Sequence, residues 1–468
     1  MQATRSFWLQ QALAQAPAEP RPLRADRKAD VCIVGGGFTG LWTALRIKEA
    51  EPAAEVVVLE RDICGGGASG RNGGFCMTWV SKAPLLYGLC GGQETARLIK
   101  ASQEAVRDIG RFCVEHDIDC AFRHDGWLWT ASNRTQLDSW RVAIDTLDRL
   151  GLHPFDELSP DEVARRSGSA QQIAGVYETG TATLQPAQLA RGLVRVCRES
   201  GVAIYEGTPM TELLRGGTPG VRTPHGMVTA EKVVLALNAW AHELPEFRRQ
   251  VMPICADGLA TEPVAETLRA LGLTDGVAIS DSRLMVDYYR TTPDGRMVYG
   301  KGGGDIPFAG RVGSRFDTVS SRPVELRAAM LRNYPSLADA AIVATWRGPA
   351  TRTATGLPMF GRLRDAPAIV YGHGYVGNGV GPSFTGGRIL ASLALDRRDE
   401  WSETPLVGFE GAPLPPEPFR YVGGRIVRAA VTRKEGAEDA ERRANPLDRY
   451  LASLAPAGLT ARTAKNKG

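Results

Sequence analysis

The stretch from Asp30 to Glu60 narrows the possible folds of this chain more than any other. Asp30-Val31-Cys32-Ile33-Val34 is apolar enough for a buried strand, and it runs into the loop Gly35-Gly36-Gly37-Phe38-Thr39-Gly40. A helical pattern over Leu41 to Ala50 follows, then a second strand, Glu55-Val56-Val57-Val58-Leu59, which ends on Glu60 and Arg61. Gly35 permits a tight turn, Gly37 lets a pyrophosphate approach the backbone, and Gly40 lets the helix pack on the strand. The helix N-terminus, directly after the loop residues Phe38 and Thr39, offers free N–H groups and a positive dipole end to phosphates. Glu60 lies twenty residues past Gly40, where a carboxylate accepts hydrogen bonds from a ribose diol. An acid there disfavours a 2′-phosphate, so the pattern predicts FAD or NAD and not NADP.

The glycine spacing alone is weak, because it recurs at Gly65, Gly67 and Gly70 and at Gly372, Gly374 and Gly377. Only the first copy has the full strand, loop, helix, strand and acid context. The length of 468 residues and 43% apolar content allow two or three domains around a substantial core. A net charge of +4 with dispersed Lys and Arg gives no argument for nucleic acid. The eight cysteines show no CxxC spacing, and with six scattered histidines they suggest no metal site. Reduced thiols in a cytoplasm are the simple expectation. No apolar run approaches the roughly 20 residues of a membrane helix.

The predicted fold class is α/β with α+β, a Rossmann-like nucleotide-binding domain discontinuous in sequence and an antiparallel-sheet substrate domain. The first domain is expected from residues 30–80, 177–258 and 341–396, and the second from 81–176 and 259–340. Residues 1–29 read as a docking arm with Phe7, Trp8, Ala12 and Leu13 on one helical face, and 397–468 as an extension whose last dozen residues are mobile. Met285 to Arg290 and Arg296 to Gly300 flank Thr292-Pro293-Asp294-Gly295, a hairpin signal. Six glycines between Gly65 and Gly74 are too dense for core filling.

Taken in order, the first glycine loop, Gly67-Ala68-Ser69-Gly70-Arg71-Asn72-Gly73-Gly74, Val233 to Trp240 and Gly372-His373-Gly374-Tyr375-Val376-Gly377-Asn378-Gly379 resemble the FAD-dependent D-amino-acid oxidase superfamily. The resemblance implies that Gly67, Ala68, Ser69, Arg71, Asn72, Gly73 and Gly74 run along the flavin, and that Met210 lies near the adenine. Val233 to Trp240 reads as a returning strand that breaks at Asn238 into a helix carrying Trp240. Gly374, Val376, Gly377, Asn378 and Gly379 open a helix toward the flavin, whose negative charge on reduction a helix N-terminus stabilises. The segments Ser6 to Trp8, Ala68 to Gly74 and Tyr288 to Gly300 are similar to the γ-glutamylputrescine oxidoreductases and more so to the aminophosphonate oxidoreductases. No Cys follows Cys255 and the early loop lacks His, so FAD is expected to be non-covalent.

The expected reaction is hydride transfer from the carbon beside a neutral amine, followed by imine hydrolysis to an aldehyde. His373 and Tyr375 are candidates to line the catalytic site. An anionic far end of the substrate, such as a phosphonate, calls for arginine, and Arg290 and Arg352 are the candidates, with Tyr289 beside them. Dioxygen or another carrier accepts the electrons; Lys301 resembles an oxygen-activating lysine but is out of register. The competing readings are a γ-glutamylputrescine or other amine oxidase, a NAD-dependent dehydrogenase, which leaves the later glycine loops without purpose, and a flavoprotein acting on RNA, which lacks a basic stripe.

Overall fold

The computed structural model describes residues 5–456. Arg27–Val34 becomes an interior strand of a sheet because its last four residues are apolar and buried on both faces. It pairs in parallel with Val56–Leu59 on one side and Gly226–Leu235 on the other. Ala203–Tyr205 lies beyond the former and Ala366–His373 beyond the latter, both parallel, and Met359–Leu363 closes that edge antiparallel. Helix Phe38–Ala50 starts directly after the first loop and packs against helix Val380–Ala394. A side chain at Gly40 would put its Cβ 2.0 Å from the Gly35 carbonyl oxygen, so the turn closes only with glycine there. The strand ends at Val34, Leu59, Leu235 and His373 all feed loops on one side, where ligands of open α/β sheets bind.

The second sheet runs in the order Ile342–Arg352, Met252–Thr261, Met297–Lys301, Asp287–Thr291, Ala278–Asp281, Trp127–Ala131, Ala174–Glu178, Phe155–Leu158. It is antiparallel except where Ala278–Asp281 meets Trp127–Ala131. The predicted hairpin is present, with Tyr288 opposite Gly300 and Tyr289 opposite Tyr299. The fold is therefore the Rossmann-like α/β unit with an antiparallel-sheet partner. The domain limits drawn at 258 and 341 do not follow the sheets. Met252–Thr261 crosses the first, and Ile342–Arg352, expected with the nucleotide sheet, pairs along its length with Met252–Thr261. Apolar content alone does not say which sheet a strand joins.

Helices near both limits of the described residues dock on this framework. Helix Phe7–Gln15 is capped by Ser6, whose hydroxyl accepts from the Leu9 N–H, and buries Phe7, Trp8, Leu9 and Ala12 with Leu13 half-buried. Burying side chains of this size stabilises by about 1.5–3 kcal/mol each, enough to hold a short helix in place. Helix Phe419–Asp439 seats beside the second sheet through Val431 on Met285 and through charged contacts, and helix Pro446–Ser453 packs on that helix with Ala452 in the same apolar cluster. Arg283 joins Asp281 and Asp439, Lys301 pairs with Asp287 at 2.7 Å, and the Met285 N–H donates to Glu435. Residues 457–468, expected to be mobile, lie outside the described residues. Among the described residues no helix is long and apolar enough to cross a membrane.

Candidate active site

A cavity of about 890 Å³ runs from the end of Val56–Leu59 to the inner face of the second sheet. It lies near the upper end of the roughly 300–1,000 Å³ typical of small-molecule sites, as an extended dinucleotide with room for a substrate requires. Its nucleotide end is built by the first glycine loop and Glu60. The carboxylate of Glu60 accepts from the Gly36 and Asp62 N–H groups at 2.9 and 3.0 Å, which fixes its orientation at the cavity wall. Burial pushes its pKa up, while the two N–H donors oppose that shift. Arg61 lies 4.5 Å over the ring of Trp240, and the Trp240 Nε1–H is buried without an acceptor among the described residues.

The middle is lined by Gly67, Ala68, Ser69, Arg71, Asn72 and Gly73 on one side and by Asn238, Tyr375, Val376, Gly377 and Gly379 on the other. Ser69 Oγ accepts from the Phe38 N–H at 2.9 Å, which ties the second glycine loop to the first helix. Asn238 Oδ1 accepts from the Gly374 N–H and the Thr351 hydroxyl, joining the ends of two strands and a loop. Arg71 donates to the carbonyls of Gly66 and Phe316 and pairs with Asp317 at 2.6 Å.

Most of the expected nucleotide residues therefore meet at one cavity: Gly35, Gly37, Phe38, Thr39, Glu60, Arg61, Met210, Asn238 and Trp240 line it along with the loop residues named above. Gly40, Gly74, Gly374 and Asn378 stand behind the lining. Gly40 closes the turn, Gly74 packs on Leu184 and Arg290, the Gly374 N–H is used by Asn238, and Asn378 donates to the Thr78 carbonyl.

The substrate-side expectations fare less well. His373 is buried on Phe247 and Tyr371, bonds Gln250, and lies outside the lining; burial pushes its pKa down to about 3, so it stays neutral. Tyr375 does line the cavity, with its hydroxyl 3.0 Å from that of Thr39. Tyr289 points into the core, stacked on Tyr299, while Tyr288 faces the cavity. Adjacent residues of a strand face opposite sides, and two neighbouring tyrosines gave no alternation to choose between them. Arg290 is also withdrawn from the cavity. It donates to the carbonyls of Gly73, Leu184 and Thr291 and lies over Trp8, and burial lowers its pKa to about 9. Lys301 is committed to Asp287 and the Met285 carbonyl, away from the cavity.

Arg352 is the arginine that remains. It lines the cavity, makes no hydrogen bond or ion pair among the described residues, and burial lowers its pKa to about 10. Lys82, buried near its charge, is pushed down to about 7, first by desolvation and then by Arg352. Phe75, Met77, Ile254, Val286 and Tyr288 supply apolar wall around this end. These residues come from separate strands and loops, with no local pattern that would mark them. Cys255 also lines the cavity, but burial raises its thiol to about 12, which makes it a poor nucleophile.

Residues 30–393 match the FAD dependent oxidoreductase family. The chain belongs to that family. It is 31% identical over 426 residues to the gamma-glutamylputrescine oxidoreductase of Escherichia coli, covering 90% of this chain and 96% of that one. It is 29% identical over 420 residues to a probable oxidoreductase, OrdL, of Haemophilus influenzae, covering 88% and 91%. The crystal structure of glycine oxidase from Geobacillus kaustophilus superposes with a TM-score of 0.68 at 20% identity, over 82% of this chain and all of that one. The chain is thus an FAD-dependent amine oxidoreductase of the D-amino-acid oxidase superfamily, and the NAD reading falls. The glycine loops, where a Cβ at Gly36 or Gly40 would collide with neighbouring atoms, and Glu60 at the cavity wall are the residues that fit FAD.

Proposed function

We propose that this oxidoreductase acts on a small amine with an anionic far end, an aminophosphonate such as 2-aminoethylphosphonate or its N-methyl form. The observation that carries the reading is Arg352, a guanidinium at the cavity wall without a protein partner among the described residues. A cation half-buried at a cavity wall without a partner is partly desolvated, and a bound anion offsets that cost while supplying charge-assisted hydrogen bonds. The glycine loops and Glu60 would hold FAD without a covalent link, and the cofactor would supply the two-electron oxidation of the C–N bond to an imine, which water would hydrolyse to an aldehyde and the free amine or ammonia. The protein's part is to orient that carbon, with Tyr288, Phe75 and Met77 as walls and Arg352 as anchor. The electron acceptor is dioxygen or another carrier. Eight free cysteines, seven of them buried, suit a cytoplasmic enzyme.

A second reading, oxidation of γ-glutamylputrescine itself, is favoured by the 31% identity to the Escherichia coli enzyme. The carboxylate of a γ-glutamyl group would use Arg352 in the same way. Arg352→Ala tests the anion claim. It should lower kcat/KM for a phosphonate- or carboxylate-bearing amine by about 10-fold or more, the 1.5–3 kcal/mol of a hydrogen bond to a charged group. FAD content and turnover of an uncharged amine should hold. Equal losses for charged and uncharged amines overturn it, and relative rates for 2-aminoethylphosphonate and γ-glutamylputrescine separate the two readings.

A further inference from the structure

The backbone carbonyls of the flavin loop are tied down one after another by other parts of the chain. Ser6 Oγ donates to the Gly70 carbonyl at 2.5 Å, Trp346 Nε1 to Arg71 at 3.0 Å, and Trp8 Nε1 to Asn72 at 2.8 Å. Arg290 Nε donates to Gly73 at 2.9 Å, and the Leu184 N–H to Gly74 at 2.9 Å. Two of these donors belong to the N-terminal arm. The arm is itself held by an Arg5–Asp62 ion pair, by Gln185 donating to the Trp8 carbonyl at 2.7 Å, and by Phe7 stacked on Trp346.

In a trans peptide the carbonyl and the following N–H point in opposite directions, so holding one aims the other. Turning the Arg71 and Asn72 carbonyls toward Trp346 and Trp8 aims the N–H groups of Asn72 and Gly73 the other way. Both residues line the cavity, and neither N–H has an acceptor among the described residues. The next N–H, of Gly74, is already used by Asn72 Oδ1 at 2.8 Å.

We propose that Ser6, Trp8, Trp346 and Arg290 are positioning residues that clamp the flavin loop from behind, so that the Asn72 and Gly73 N–H groups are presented as a fixed pair of donors to the bound flavin. Arg290 adds a second effect. Its guanidinium has carbonyls and the Trp8 ring around it but no carboxylate in ion-pair contact among the described residues. A buried positive charge therefore stands behind the loop, where it favours electrons arriving on the cofactor. This inference rests on the family assignment and not on the identity of the amine.

The test uses the holoenzyme and three readouts: FAD dissociation, the visible flavin spectrum and the flavin midpoint potential. Trp8→Phe keeps the ring and removes one donor. It should perturb the spectrum and weaken FAD retention about 3- to 10-fold, as for loss of one hydrogen bond, and Ser6→Ala should act in the same direction. Arg290→Gln should lower the midpoint potential, and Arg290→Lys should restore much of the potential without restoring retention. Gln188→Ala, which removes only the arm's exposed contact through Gln15, should change none of the three. Folded Trp8→Phe and Ser6→Ala proteins with parental FAD affinity, spectrum and potential would overturn the proposal, whether or not the Arg290 variants fold. So would a Gln188→Ala protein as impaired as Trp8→Phe.

Discussion

At the scale of single residues, cavity positions at the nucleotide end follow from backbone requirements, whereas those at the far end depend on which way a side chain points. Gly37 and Glu60 show the first case. A Cβ at Gly37 would already stand 3.0 Å from Ser69 Oγ, and Glu60 is fixed by two N–H donors. Gly37→Val and Glu60→Lys should each abolish FAD retention in soluble protein, the first by blocking pyrophosphate approach and the second by replacing an acceptor with a cation. Either variant purifying fully loaded would show the cofactor to be misplaced. Tyr288 and Arg290 show the second case. Sequence puts them beside the site, but only the structure shows that Tyr288 faces the cavity while Arg290 turns behind the loop. The pH dependence of turnover also belongs here. His373 stays neutral to about pH 3 and Tyr375 is pushed far above neutrality by burial, so neither titrates in the working range. Flavin reduction should therefore speed up with rising pH as the substrate amine loses its proton, with an apparent pKa that moves with the basicity of the amine. One fixed pKa near 7 for all amines would instead point to a group of the protein.

Among elements, the first βαβ unit, the hairpin and the N-terminal helix were legible because local pattern and tertiary role agree. Strand Ile342–Arg352 was not, since its partner lies some ninety residues away and pairing leaves no local trace. The C-terminal helices were missed as docked elements because their inner face is small, with Val427, Val431 and Ala452 beside Glu435 and Asp439 in a segment that is otherwise charged and polar. Glu435 makes that contact measurable. Burial raises its pKa to about 7, above the roughly 4.3 of an unfolded glutamate. Between those values the folded protein keeps a proton that the unfolded chain has released. Its contribution to stability is thus full below about pH 4 and is lost as pH rises through 7. Glu435→Gln should flatten the fall in Tm between pH 5 and 8 and raise Tm at pH 8. The flattening should be partial, because Glu178 is raised to the same value. A variant that loses as much Tm as the parent over this range would contradict the assignment.

For the whole molecule, two sheets meet around one long cavity, with the nucleotide half set by recurring glycines and an acid and the substrate half by residues gathered from distant strands. The first half carries its chemistry in spacing, which a sequence displays; the second carries it in juxtaposition, which a sequence hides. The central claim is an FAD enzyme that oxidises an amine anchored by its anionic end. Anaerobic mixing of the purified protein with primary and N-methyl amines bearing phosphonate, carboxylate or γ-glutamyl ends, followed as bleaching of the flavin absorption, tests it most directly. The account predicts rapid bleaching by at least one anion-bearing amine and much slower bleaching by uncharged amines of the same length. Equal rates for charged and uncharged amines, or a flavin that no amine in the panel reduces, would contradict it.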